Sequence, residues 1–448
     1  MPKSANKYDT LLLILSLSLI SLTVGFGLFI RQNDFAELLS FYGFFFIVYL
    51  LLCRYIEGNR AVNMLLGLAL FLRLLLVFVM PNLSDDVYRF VWDGRLIING
   101  ISPFAELPKY YIESNIKLTG IDQNLFAQLN SPNYFAVYPP VPQCVFAIAS
   151  FIFPKSIYGT MVVMKLVLLL FEVGSFFLWV KLLKHFSLPR KNALLYALNP
   201  LIIWDTFGNL HFEIAMVFFV LLALWLLVNF KWTNSAFAMS FAITSKLIPL
   251  MLLPFLIKKL AWKKVLMYFG IVGVTVMLCF LPFFNFNTIK NLADSLDLYF
   301  QKFEYNAGVY YVFRYIGLKI SGYNLIQVLG PVLGLVTAVS IFVIALHRKF
   351  TAKLPTKWLF AMTIFLLLAT TVHPWYLSLA IALCTLTRFR YPILWSGLIM
   401  MTYVNYSYAE FFENLWVVAI EYVLLFVFIG WEMFRVNEFC LPSTNYEF

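Results

Sequence analysis

Charge is scarce in this chain. Asp, Glu, Lys and Arg make up 12% of 448 residues, while 62% are hydrophobic. Soluble domains are about half apolar and about a quarter charged. The balance excludes a single water-soluble globule and indicates an all-α polytopic membrane protein. Acidic residues are scarcest: 22 against 33 Lys and Arg, a net charge of +11. That excess does not indicate nucleic acid, because the basic residues are scattered through short loops and no polar domain gathers them. The five cysteines are Cys53, Cys144, Cys279, Cys384 and Cys440. Most lie in or beside apolar runs without metal-ligand spacing, so they read as packing residues. The four histidines include no His-x-x-x-His pair, which argues against zinc. No fixed-period repeat and no inverted hydropathy symmetry is present, so the usual mark of a two-halved transporter is missing.

Apolar runs fill most of the rest. A helical span needs about 20 apolar residues. Long candidates are 11–30, 61–80, 160–184, 265–284, 323–346 and 416–434; shorter ones are 38–53, 192–207, 213–230, 358–372, 375–388 and 391–404. These predict about 12–13 transmembrane helices in a single integral-membrane domain, 1–448. The run from Thr10 to Ile30 lacks a small-residue cleavage site and reads as a first span, not a signal peptide. With the N-terminus inside, the predicted inner loops carry Arg54 and Arg60; Lys181, Lys184, Arg190 and Lys191; Lys258, Lys259, Lys263 and Lys264; Arg348, Lys349, Lys353 and Lys357; Arg388 and Arg390. Outer segments are mixed or acidic, as the positive-inside rule requires. Both termini are then cytoplasmic. Two polar segments fall outside, 81–157 and 285–322.

Two stretches depart from simple crossings. Val141 to Phe153 is short and follows Tyr138-Pro139-Pro140, so it reads as a juxtamembrane helix. The segment 235–257 reads as a broken hairpin with Lys246 near its tip. Each arm has about eleven residues and spans about 16 Å, half a bilayer. Irregular backbone at that depth is tolerated only where it lines a protein cavity.

Polar residues cluster at the predicted outer helix ends. Ser84-Asp85-Asp86-Val87-Tyr88-Arg89 follows the 61–80 run, with Trp92-Asp93-Gly94-Arg95 just behind. A bland reading makes Ser84 and Asp85 the N-cap of a helix over 86–98. On that helix Asp86, Arg89 and Asp93 share a face. A carboxylate there suits a general base, and arginine suits phosphate, which guanidinium grips in a fork. Asn209-Leu210-His211-Phe212-Glu213 and His373-Pro374-Trp375-Tyr376 lie at two further outer ends. Singly, each reads as an interfacial aromatic belt; together they suggest convergence on one cavity. Lys246 costs about 2.5–3.5 kcal/mol at mid-membrane depth, so it faces a cavity, a partner or the interface. Arg73, Lys165 and Glu172 lie inside apolar runs and read as structural pairs or snorkelling side chains.

In this order the motifs resemble the GT-C superfamily of membrane glycosyltransferases, closest to the polyprenyl-phosphate-mannose-dependent mannosyltransferases. The matching features are the 84–95 motif, Gly100-Ile101-Ser102-Pro103-Phe104, Tyr138-Pro139-Pro140, Asn199-Pro200, Gly208 to Glu213, Lys246-Leu247-Ile248-Pro249 and His373 to Tyr376, over roughly 60 to 390. The resemblance implies inverting transfer of a sugar, by family prior mannose, from a polyprenyl-phosphate carrier. The acceptor would be a hydroxyl of a glycan or glycolipid at the periplasmic or outer face of the cell membrane. It implies that Asp85 or Asp86 is the base, without saying which. Arg89, Asp93, Arg95, Tyr138, His211, Glu213, Lys246, His373, Trp375 and Tyr376 are the expected substrate contacts. The carrier phosphate bears one charge, so no cofactor is required; a divalent cation between Asp85 and Asp86 is compatible with the sequence. The partners expected are donor, acceptor and membrane lipids, with no nucleic acid. The alternatives are a transporter or flippase of lipid-linked glycans, whose mark is paired broken helices, and a glycan ligase, whose mark is a large late outer loop.

Overall fold

The computed structural model of the chain describes residues 3–436 apart from 115, 285–286, 302 and 348–350. Arg348, Lys349 and Cys440 therefore lie outside the described residues. Among the described residues there are helices and no strand, only an isolated pairing of Tyr305 with Thr371. Seven helices are long and apolar enough to cross a membrane. The long runs read from the sequence all fall on them: Thr10–Phe29, Asn59–Val77, Ile157–His185, Trp262–Phe283, Ile326–Leu346 and Leu415–Arg435. Phe35–Tyr55 joins them at 21 residues. Their outward surfaces expose large apolar side chains such as Phe29, Phe177, Met277 and Phe434, as a lipid-facing surface requires.

Of the shorter apolar runs, 213–230 and 358–372 fall on unbroken helices, Glu213–Val228 and Leu354–Leu368, while 192–207, 375–388 and 391–404 are interrupted. The 192–207 run breaks at Asn199-Pro200 into short pieces and ends in a π-helical turn, Leu201–Phe207. Pro374 starts a 3₁₀ turn that leads into Ser378–Cys384. Tyr391–Leu398 tightens into a 3₁₀ segment, Ile399–Tyr406. These pieces are almost wholly buried. Their irregular backbone sits inside protein, where side chains and neighbouring helices can satisfy it. Trp232–Ser245 stops at Lys246, whose backbone is extended, and a 3₁₀ segment follows, Ile248–Leu256.

Polar segments close one end of the bundle. Asp86–Ile98 packs against Pro140–Ile152. Gly94 makes that crossing close: a Cβ there would lie 2.3 Å from the Phe146 carbonyl oxygen and 2.4 Å from Ser150 Oγ. The second polar segment folds into Thr288–Gln301 and Gly308–Ser321, joined by a short strand-like stretch. Tyr305 N–H donates to Thr370 (3.1 Å) and Val372 N–H donates back to Tyr305 (2.8 Å), so that stretch is fixed beside His373.

Arg73, Glu172 and Lys165, buried inside the apolar runs, each have structural partners. Arg73 and Glu172 pair at 3.5 Å with no exposure, Tyr196 donates to Glu172, and Arg73 also donates to the Ala197 carbonyl. Lys165 donates to the carbonyls of Leu76 and Val79, capping the end of the third helix. Of the described cysteines, Cys384 is buried and Cys53 and Cys279 are half-buried. Cys144 faces outward, because its helix turns Val145, Phe146 and Ala149 to the core instead.

Candidate active site

Asn209 joins two of the polar clusters. Its side-chain oxygen accepts from the backbone of Asn82 (3.0 Å) and Leu83 (2.8 Å), while its amide donates to the Trp204 carbonyl. The loop before Asp86–Ile98 is thus tied to the π-helical turn, and Leu210 takes a left-handed conformation, φ 66°, to turn the chain toward His211. Asp85 occupies the N-cap position but its side chain caps nothing; Ser84 Oγ accepts from Asp86 N–H. Partial burial and the neighbouring Asp86 carboxylate push Asp85 above its ordinary carboxylate value. Asp86 accepts from Asn130 Nδ2 (2.9 Å) on one oxygen and from Tyr138 Oη (3.1 Å) on the other.

Behind this carboxylate lies a buried ion pair. Arg89 Nε donates to Asp93 at 2.8 Å, and Gln143 donates to the other Asp93 oxygen at 3.0 Å. Arg89 also donates to the carbonyls of Ser131 and Tyr134. The pair pins the loop that carries Asn130 and Tyr138, and so orients Asp86. Asp93 and Arg95 are not among the residues that line the cavity. Asp93 is saturated by Arg89 and Gln143. Arg95 turns away to the Gly120 carbonyl at 2.6 Å, because Asp86 and Arg95 lie on different faces of the helix.

The other wall is an aromatic stack. His211 lies 3.8 Å from Trp375, Trp375 lies 4.5 Å from His373, and His373 lies 4.7 Å from Tyr305, centroid to centroid with near-parallel planes. Lys246 forms an ion pair with Glu213 and sits 4.2 Å over the Tyr376 ring. Burial and the Lys246 ammonium push His373 down to about 3, and the same causes push His211 well below its ordinary value. Both shifts favour the neutral imidazole. Glu213 meets Lys246 directly, so the two act as one unit.

A cavity of 1480 Å³ connects these groups. Its polar end holds Asp85, Asp86, Arg89, Asn130, Tyr138, His211, Glu213, Lys246, His373, Trp375 and Tyr376, with Tyr305, Tyr403 and Tyr406. Its other arm is apolar and runs between Ile248–Leu256 and Ile326–Leu346, past Leu250, Met251, Pro254, Gly330, Gly334 and Ala338. Small residues along Ile326–Leu346 hollow that arm. Among the described residues, no group of three or more His, Cys, Asp or Glu could hold a metal ion.

The N-terminal domain of the alpha-(1->6)-mannopyranosyltransferase family matches residues 24–262, more than half of the chain. The chain belongs to this family. It is a GT-C-type mannosyltransferase family, so the protein is a membrane glycosyltransferase of mannosyl-transferring type. No curated protein matches the chain. The matched region of the mannosyltransferase contains Asp85, Asp86, Tyr138, His211, Glu213 and Lys246; His373, Trp375 and Tyr305 lie beyond it.

Sequence reasoning missed Asn130, Tyr305, Asp205, Tyr403 and Tyr406 as parts of this site. Asp205 had a signal, a lone acid in an apolar run. The tyrosines had none, since aromatics crowd every helix end of this chain.

Proposed function

We propose that the mannosyltransferase moves mannose from a polyprenyl-phosphate carrier to a hydroxyl of a glycan or glycolipid acceptor, with inversion, at the outer face of the membrane. One observation carries this reading. A single cavity joins an oriented carboxylate, a paired lysine and an apolar arm open along the bundle. A lipid-linked sugar phosphate has the matching three parts: a reacting sugar, an anion and a long hydrocarbon chain.

Asp86 is the general base in this reading. Asn130 and Tyr138 hold it at the cavity wall, whereas Asp85 makes no side-chain hydrogen bond that would fix it as a cap. Asp86 takes the proton of the acceptor hydroxyl. The acceptor oxygen bonds to the anomeric carbon as the bond from that carbon to the phosphate oxygen breaks. The proton passes from Asp86 to water. The carrier leaves as a phosphate monoester with more negative charge than the bound diester. Cationic help that grows as that charge develops lowers the barrier.

Lys246 meets that charge. Glu213 pairs with and orients its ammonium while the donor is absent, since an unpaired cation at this depth is costly. Neutral His373 serves as a hydrogen-bond donor and as a wall for the reacting end. Base and phosphate on opposite sides of the anomeric carbon give inversion. The apolar arm takes the hydrocarbon chain, and the positive-inside pattern supports an outer reacting end.

The test is donor-lipid titration at fixed acceptor in reconstituted vesicles. Lys246→Ala is expected to raise the donor KM with a smaller change in acceptor KM, because a charge-assisted phosphate contact is lost. Unchanged donor dependence contradicts the phosphate assignment.

A further inference from the structure

Three tyrosines line the cavity between its two reacting ends. Tyr305 stacks on His373, beside the Lys246 end. Tyr406 lies 6.3 Å from Tyr305 and within electrostatic reach of Asp86. Tyr403 lies 5.9 Å from Tyr406. On the reading above, the transferred sugar must sit between the base and the departing phosphate, and so against these rings.

Tyr403 differs from the other two in what stands behind it. Its hydroxyl donates to Asp205 Oδ1 at 2.7 Å. Asp205 is fully buried, lies in the π-helical turn Leu201–Phe207, and its Oδ2 has no hydrogen-bond partner. Isolated π-helical turns recur at functional sites, because they push one side chain out of helical register. An isolated buried acid in an apolar run is costly unless it has a task. Its one side-chain hydrogen bond fixes the phenol proton. With that proton turned to Asp205, the Tyr403 oxygen can offer only lone pairs to the cavity.

We propose that Tyr403 is a specificity-determining residue that accepts a hydrogen bond from one ring hydroxyl of the transferred mannosyl group, and that Asp205 is the positioning residue that makes it an acceptor. This rests on the proposed donor reading. An oriented polar group rejects a ligand lacking the matching hydroxyl, because the buried oxygen is then left unpaired.

The experiment uses the full-length mannosyltransferase in vesicles with mannosyl polyprenyl phosphate and the donors that lack a single hydroxyl at positions 2, 3, 4 or 6 of the mannose. The wild type is expected to lose about 10- to 100-fold in kcat/KM with one of these donors. Tyr403→Phe should lose a similar factor with the parent donor and show little further loss with that same deoxy donor. Asp205→Asn should compress the same penalty and leave the others in place; should it fail to fold, Tyr403→Phe alone decides. If Tyr403→Phe keeps every wild-type deoxy penalty, or acts only on acceptor KM, the inference is overturned while the donor reading stands. If the wild type does not use mannosyl polyprenyl phosphate at all, the donor reading fails and the inference fails with it.

Discussion

Asp86 and Arg89 are one turn apart on the same helix, yet they have different tasks. The proposed base is held by two neutral donors, Asn130 and Tyr138. Replacing it by Asn keeps those contacts nearly isosteric and removes the proton acceptor. Asp86→Asn should therefore cut turnover by about 10²- to 10⁴-fold with little change in thermal stability. Full turnover in that variant would move the base to Asp85. Arg89 instead spends its hydrogen bonds on Asp93 and two loop carbonyls. Asp93→Ala leaves a buried guanidinium unpaired, so it should cost about 3–5 kcal/mol of stability, read as a lower unfolding midpoint in detergent. A midpoint within the error of wild type would contradict the supporting role. His211 adds a pH signature. Its folded value lies well below its unfolded value of about 6.5. Below that pH the unfolded chain takes up the proton first, so stability falls by about 1.4 kcal/mol per pH unit as pH drops from 6.5. His373, pushed down to about 3, adds a slope of the same sign, so unfolding midpoints should fall between pH 7.5 and 5 and His211→Asn should reduce the fall without abolishing it.

At the scale of elements, the long spans were legible because an apolar stretch of bilayer length has few other uses. Asp86–Ile98 was legible from Ser84-Asp85 and the polar face behind it. The short runs were ambiguous. Hydropathy cannot distinguish an unbroken helix from a broken one buried inside the bundle, and the 192–207, 375–388 and 391–404 runs are of the second kind, interrupted at Asn199-Pro200 and where the helix type changes after Leu377 and after Leu398. For the same reason the site was half legible. Charged and histidine-bearing motifs stood out against an apolar chain, while Tyr305, Tyr403 and Tyr406 were hidden among 25 tyrosines and 48 phenylalanines. Helix partners were not legible either. Nothing in the motif around Gly94 announces that Phe146 and Ser150 press against it. Gly94→Val should separate Asp86–Ile98 from Pro140–Ile152, displace Tyr138 from Asp86, and lower both expression and activity. Normal stability in Gly94→Val would contradict the close crossing.

For the whole molecule, family membership makes the chain a mannosyltransferase of the membrane, and the cavity suggests how a lipid-linked sugar is presented. The proposed outer face has its own test. Lys109 and Lys263 are exposed on segments read as outer and inner. Single cysteines at these positions, in a background without the five natural ones, should label with a membrane-impermeant reagent from opposite sides. Labelling of both from one side would reverse or break the topology. The central claim is the transfer itself, and one measurement meets it most directly: purified protein in vesicles, labelled mannosyl polyprenyl phosphate, a glycan acceptor, and the anomeric configuration of the product by NMR. The account predicts mannosyl product of configuration opposite to the donor, lost in Asp86→Asn and shifted to higher donor KM in Lys246→Ala. Product of retained configuration, or no transfer from the lipid-linked donor by wild-type protein, would contradict it.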